Sequence, residues 1–153
     1  MRDIFRSMEI METYRRPMRP VEEIIKIEER LENILEGYVK RAHGRRKMQY
    51  VLPVAERKVG KSYAVINVAR RHNFPIVVSN EDVVSIMKRY EKQIYGDTQI
   101  QYILIRHLRR ALVDGMSYCE ASVIMIDEDV DAKDLQEVLS DKTPIVANII
   151  GIC

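Results

Sequence analysis

The sequence predicts an α/β domain built on a mostly parallel sheet flanked by helices, with a helical extension in front of it, and three observations carry this reading. Short apolar runs alternate with amphipathic stretches from Met48 onward. No internal repeat or low-complexity tract breaks the alternation. The length of 153 residues, 46% hydrophobic and 31% charged, suits a single substantial core. Strands that alternate with helices pair in parallel and are covered on both faces. The chain divides into residues 1–47, a basic arm and amphipathic helix, and residues 48–153, the α/β core.

The first stretch carries Arg2, Arg6, Arg15, Arg16 and Arg19 among prolines and methionines without sustained periodicity, so it reads as a loosely structured arm or short helix. From Val21 the apolar residues Ile24, Ile25, Ile27, Leu31, Ile34, Leu35, Tyr38 and Val39 recur near helical spacing, with Pro20 at the start. This predicts a helix ending near Gly44. Met48 to Val54 reads as a buried strand, Lys61 to His72 as a helix and Ile76 to Ser79 as a strand. Asn80 to Tyr95 reads as a helix with Asn80 as its cap. Val123 to Asp127 and Ile145 to Ile150 are further strands, separated by the helix-like stretch Asp131 to Ser140. Gln99 to Leu112 fits both periods. Ile100, Tyr102 and Leu104 alternate as in a strand, whereas Ile100, Ile103, Leu104, Leu108, Ala111 and Leu112 suit a helix.

Composition narrows the function classes. A net charge of +2 is not that of a polycation, although Lys40, Arg41, His43, Arg45, Arg46 and Lys47 form a dense basic run. That run suits either a solvated helix end or a contact with nucleic-acid phosphates. No apolar run approaches the roughly 20 residues of a membrane helix, and the first residues lack the apolar core of a secretory signal, so a cytoplasmic protein is expected. Cys119 and Cys153 give neither metal spacing nor a disulfide framework, and His43, His72 and His107 show no ligand spacing.

Between the first strand and the next helix lies Ala55-Glu56-Arg57-Lys58-Val59-Gly60-Lys61-Ser62. It fits the phosphate-loop pattern except that Ala55 stands where the first glycine belongs. Backbone N–H groups of Glu56 to Ser62 cradle phosphates at a helix N-terminus, Gly60 permits the close turn, Lys61 reaches the β and γ phosphates, and Ser62 ligates Mg2+. A Gly-Lys-[Ser/Thr] triplet arises by composition in about one chain in ten of this length, so its weight comes from its strand-to-helix setting. The second motif is Val123-Ile124-Met125-Ile126-Asp127-Glu128, an apolar strand closing in two carboxylates. Asp127 is placed to complete the Mg2+ shell and Glu128 to accept a proton from an attacking water. Together they predict a P-loop NTPase whose substrate is ATP.

These motifs resemble the ATPase half of viral and phage terminase large subunits, the motors that drive DNA into capsids. The resemblance rests on the missing first glycine with Arg57 ahead of Gly60-Lys61-Ser62, on the turn Asp114-Gly115 before the acidic strand, and on Asn148 in Pro144-Ile145-Val146-Ala147-Asn148. It spans Met48 to Ile150. It implies catalytic roles for Lys61, Glu128, Arg57 and Asn148, the last sensing the γ-phosphate or coupling hydrolysis to motion. It also implies a homo-oligomer or larger motor assembly, DNA as a partner through Lys40 to Lys47, and the host cytoplasm as the location. Arg106, Arg109 and Arg110 are candidates for an arginine supplied to a neighbouring subunit. The chain departs from the family in lacking room for a nuclease domain, in carrying Arg19-Pro20-Val21-Glu22 where an adenine-reading glutamine is expected, and in lacking a Thr-x-Pro strand. Two other readings remain open: a nucleotide-binding switch or interaction protein with little turnover, and a small-molecule kinase. The kinase is disfavoured because Asp129, Asp131, Asp134 and Glu137 would repel phosphorylated substrates.

Overall fold

The computed structural model of the chain describes residues 21–42, 49–54, 60–108, 123–127, 129–139 and 148–152. The elements run α1 (Val21–Arg41), β1 (Gln49–Leu52), α2 (Lys61–His72), β2 (Ile76–Val78), α3 (Glu81–Tyr95), β3 (Tyr102–Leu104), β4 (Val123–Ile126), α4 (Ala132–Leu139) and β5 (Asn148–Ile152). The strands form one five-stranded sheet in the order β1-β5-β4-β2-β3, and every pairing is parallel. The basic arm before Val21 lies outside the described residues.

Each element follows from its local sequence. The alternating side chains of the strands separate into two cores, because successive residues point to opposite faces. Tyr50, Leu52, Ile76, Val78, Leu104, Val123, Met125, Ile150 and Ile152 pack under α1, α2 and α3. Val51, Val77, Ile103, Ile124, Ile126 and Ile149 pack on the other face with Leu108 and with Leu135 of α4. Covering both faces is what makes these strands apolar throughout rather than amphipathic. Helix α3 begins where Asn80 accepts a hydrogen bond from the Val83 N–H at 3.1 Å and ends at Gly96, whose φ of 82° closes the last turn.

The ambiguous stretch after Gln99 uses both of its periods in turn: β3 covers Tyr102–Leu104, and residues 105–108 are helical. Glu91, fully buried on α3, sets where β3 starts. Its Oε2 accepts from the N–H groups of Gln99 and Ile100 at 2.8 and 3.1 Å and from Arg70 at 2.8 Å, while Oε1 accepts from the Tyr102 hydroxyl at 3.0 Å. A buried carboxylate is tolerable when its lone pairs are satisfied in this way. Burial, reinforced by the Glu91 charge, pushes the Tyr102 hydroxyl far up, so it remains a donor.

The structure shifts several predicted boundaries, with β1 ending at Leu52 rather than Val54. Helix α1 ends at Arg41 rather than near Gly44. Strand β5 runs on to Ile152, two residues past the predicted end, because Gly151 continues the strand instead of stopping it.

Helices α1 and α2 lie side by side, and ascending positions on one meet ascending positions on the other. Asn67 donates to Glu28 at 3.2 Å, and Arg71 donates to Glu32 at 3.3 Å and to Glu36 at 2.6 Å. His72 Nε2 lies 2.7 Å from Glu36 Oε2. Partial burial pushes the Glu36 carboxyl up, but the hydrogen bonds and charges of His72 and Arg71 outweigh it and hold the group below its ordinary value of 4.5. A depressed carboxylate contributes stability above its unfolded pKa and loses it as pH falls through the folded one. Glu36→Gln should therefore cost about 0.5–1 kcal/mol at pH 7, a modest figure because Arg71 is half exposed. The difference from the parent chain should narrow as pH falls through the depressed folded pKa and close once the carboxyl is protonated in both states. Urea unfolding from neutral to acid pH tests this, and a gap that does not narrow would assign the effect to packing.

Candidate functional site

All strands point the same way, so their carboxyl ends form one edge, where α/β sheets bind ligands. Two segments distant in sequence meet there. Strand alternation puts Asp127, two residues beyond Met125, on the sheet face that α2 covers. Ser62 stands in the first turn of α2. Its Oγ donates to Asp127 Oδ2 at 2.5 Å across a separation of 65 positions. A hydroxyl donating to a carboxylate is a charge-assisted bond, and Asp127 is only 4% exposed.

Gly60 is the N-cap of α2 with φ 77° and ψ 24°, a left-handed conformation that glycine adopts without strain. Lys61 opens the helix. Its side chain is buried, and Nζ donates to the Val54 carbonyl at 3.0 Å. The lysine thereby joins the end of the segment after β1 to the start of α2. Gly60, Lys61, Ser62 and Asp127 are thus brought together. Glu56, Arg57, Lys58, Val59 and Glu128 lie outside the described residues, as do Asp114, Gly115, Arg109, Arg110 and residues 43–47.

Asn148 is not with them. It begins β5 and pairs with Val123, the first residue of β4, at the amino end of the sheet. From there to Ile152 the strand climbs four residues, about 13 Å at 3.3 Å per residue, before it reaches the edge that holds Asp127. Asn148 is fully buried. The structure thus sets it apart from the residues it was predicted to join.

Two acidic residues do unexpected work. Asp129 Oδ2 accepts from the Ser79 N–H at 2.9 Å, tying the turn after β4 to the end of β2. Asp131 accepts from the Lys133 N–H at 2.8 Å at the start of α4. Both were read as a repulsive acidic surface, and both serve as turn acceptors. Three arginines outside the basic run are paired within the fold. Arg70 pairs with Glu91 and Asp97 at 2.8 and 2.5 Å, and Arg71 with Glu32 and Glu36. Arg106 pairs with Glu81 at 3.1 Å on the surface. Glu28 escaped the sequence reading altogether, although a glutamate inside the stripe Ile24, Glu28, Leu31, Leu35 signals a buried polar group.

A hard divalent cation takes oxygen ligands, and Mg2+ keeps several waters while using one or two protein groups together with substrate phosphates. The Ser62 hydroxyl and Asp127 carboxylate fit that requirement as a pair. No group of three or more His, Cys, Asp or Glu residues suited to a metal occurs among the described residues. No described helix is long and apolar enough to cross a membrane. A scan against protein-family models finds no match, and a search of the curated proteins finds none.

One glycine limits how the edge is built. Gly151 pairs with Ile126, the residue before Asp127, and an added Cβ would overlap the Ile126 carbonyl oxygen and lie 2.6 Å from its Cγ1. Because the obstacle is largely backbone, it has no cheap way to yield. Gly151→Ala should destabilise the protein by about 1–3 kcal/mol, the usual range for overpacking. Denaturant unfolding checks this, and a cost under about 0.5 kcal/mol, the scale of a surface change, would show that β5 shifts freely.

Proposed function

We propose that the chain is a P-loop ATPase that binds Mg-ATP and hydrolyses it. The observation that carries the reading is the Ser62–Asp127 hydrogen bond at the carboxyl edge of the sheet. It unites the two motifs that phosphate binding and cation binding require, in the strand-to-helix setting where a phosphate loop works. An ordinary turn with a surface lysine would give no reason for a buried Lys61 or for a serine held on a distant carboxylate.

The backbone N–H groups at the start of α2 face the β and γ phosphates, aided by the helix dipole. Lys61 exchanges its carbonyl partner for phosphate oxygens, and Ser62 and Asp127 hold the Mg2+ that accompanies the nucleotide. When bound, that ion supplies charge neutralisation to the phosphates. Glu128, adjacent to Asp127, takes the proton of a water whose oxygen attacks the γ phosphorus. The bond from that phosphorus to the bridging oxygen breaks, and ADP and phosphate leave. Coupling of this cycle to DNA translocation in a terminase-like assembly is supported by the resemblance of the motifs and by the exposed Lys40 and Arg41 at the end of α1, where the basic run begins.

Nucleotide binding and phosphate release measured on the same protein test the proposal. Lys61→Met keeps the buried stem and should weaken Mg-ATP by about 10- to 100-fold, as expected for losing a hydrogen bond to a charged group. Asp127→Asn should weaken the dependence on Mg2+, and Glu128→Gln should retain binding but slow turnover by about 10²- to 10⁴-fold. Parent-level affinity in a folded Lys61→Met variant would remove the phosphate-loop reading.

The DNA arm has its own outcome. Affinity for unrelated duplexes should fall steeply with salt, and neutralising Arg45, Arg46 and Lys47 should flatten the slope. Absence of binding at about 50 mM salt, where phosphate contacts are strong, would leave an ATPase or nucleotide switch without a DNA partner.

A further inference from the structure

We infer that Glu28, on α1 and outside both motifs, is a positioning residue for the phosphate loop, so that the N-terminal helix is part of the nucleotide site. The inference rests on the P-loop reading above. Glu28 is fully buried although it is charged in type, and its carboxyl Oε1 accepts from Asn67 Nδ2 at 3.2 Å. Asn67 stands on α2 and is itself fixed, because its Oδ1 accepts from the Tyr95 hydroxyl of α3 at 2.8 Å. The other side of Glu28 rests on Gly60. A Cβ built on Gly60 would meet Glu28 Cβ and Cγ at 3.3 Å and Oε2 at 3.5 Å. Glu28 therefore packs against Gly60, whose left-handed φ of 77° precedes α2.

That position gives Glu28 a lever on anion binding. The N–H groups that face a phosphate belong to the backbone immediately after Gly60, and their direction depends on the dihedrals of Gly60. Glycine has no side chain to limit those dihedrals, so a neighbour must do it. Glu28 supplies the wall, and Asn67 and Tyr95 hold the wall in place from two further helices. Removing the wall leaves Gly60 free to sample other conformations, and binding then has to order it. A purely structural Glu28 would change the stability of the α1–α2 contact and leave nucleotide affinity alone.

The test combines affinity with a double-mutant cycle. Glu28→Gln keeps the volume and an acceptor for Asn67, so it should fold as the parent and bind Mg-ATP within about threefold of it, if shape rather than charge sets the wall. Glu28→Ala should weaken Mg-ATP by at least about tenfold, the scale of coupling between touching groups. Gly60→Ala alone should also weaken binding, since it forces a Cβ against Glu28 at a positive φ. In the double variant the two losses should fall short of adding, because the wall has already gone. Should Glu28→Ala prove unstable, Asn67→Ala, which removes the donor that holds Glu28 without touching the loop, should weaken binding in the same direction. Binding by the parent with unchanged affinity in the folded Glu28→Ala and Asn67→Ala variants would overturn the inference and leave the ATPase reading standing. Failure of the parent itself to bind Mg-ATP would overturn that reading first, and the inference with it.

Discussion

The hydrogen bond between Ser62 and Asp127 is the constraint around which the molecule is arranged, because it joins the first turn of one helix to the end of a strand 65 positions later. An all-parallel sheet covered on both faces leaves its strands no polar surface of their own. Polar chemistry is then pushed to the ends, and the carboxyl end is where β1 hands over to α2 and β4 to its following turn. β5 lies between β1 and β4, in register with both: Leu52 pairs with Ile152, and Gly151 with Ile126. The spacing of Lys61 and Asp127 at this edge therefore depends on an intervening strand that contributes no polar group at that level. It contributes a glycine, which lets the β4 backbone at Ile126 approach closely.

The layer of α1, α2 and α3 carries buried polar groups beside its apolar core. Glu91 gathers donors from α2, from the segment before β3 and from β3 itself, while the guanidinium of Arg70 lies 4.4 Å from the centre of the Tyr95 ring. Such a hub adds little net stability over a well-packed apolar substitute, since desolvation offsets the attraction, but losing one partner leaves the others unsatisfied. Its contribution is to specify which helix register is right. The chain from Glu28 through Asn67 to Tyr95 does the same nearer the loop. Register in this layer matters because α2 carries Ser62 and Lys61 at its head, and a turn of slip would carry them off the edge.

Where hydrophobic period and capping chemistry agree, the sequence is legible to within a residue. Lys61–His72 and Glu81–Tyr95 match the predicted helices, and Asn80 caps as expected. β5 was misplaced at its end because glycine normally weakens a strand, and only the neighbour's backbone shows why it is required here. The candidate site was half legible. Gly60, Lys61, Ser62 and Asp127 were grouped from residue type and spacing, and the structure brings them together. Asn148 was assigned by analogy with a strand in other ATPases, and analogy does not carry strand register: the same residue at the start of a strand instead of its end lies at the opposite edge. Glu28 and Glu91 were passed over because a glutamate on an amphipathic helix is read as facing solvent, and only the packing of a third element reverses that reading.

The same distinction governs the charges. In sequence Arg70 and Arg71 are an adjacent basic pair, yet in space each lies between two carboxylates, so their positive charge is spent within the fold. A polyanion approaching α2 would meet neutralised guanidiniums, and displacing Glu91, which is buried, would break contacts to β3 as well. Lys40 and Arg41 differ, since both are exposed on the last turn of α1, where a cation also complements the helix dipole. Sequence clustering thus overstates a phosphate-binding face wherever the fold interleaves helices of opposite charge. Any surface offered to a polyanion depends on which cations the internal carboxylates leave over, and within the predicted basic run the described ones are Lys40 and Arg41.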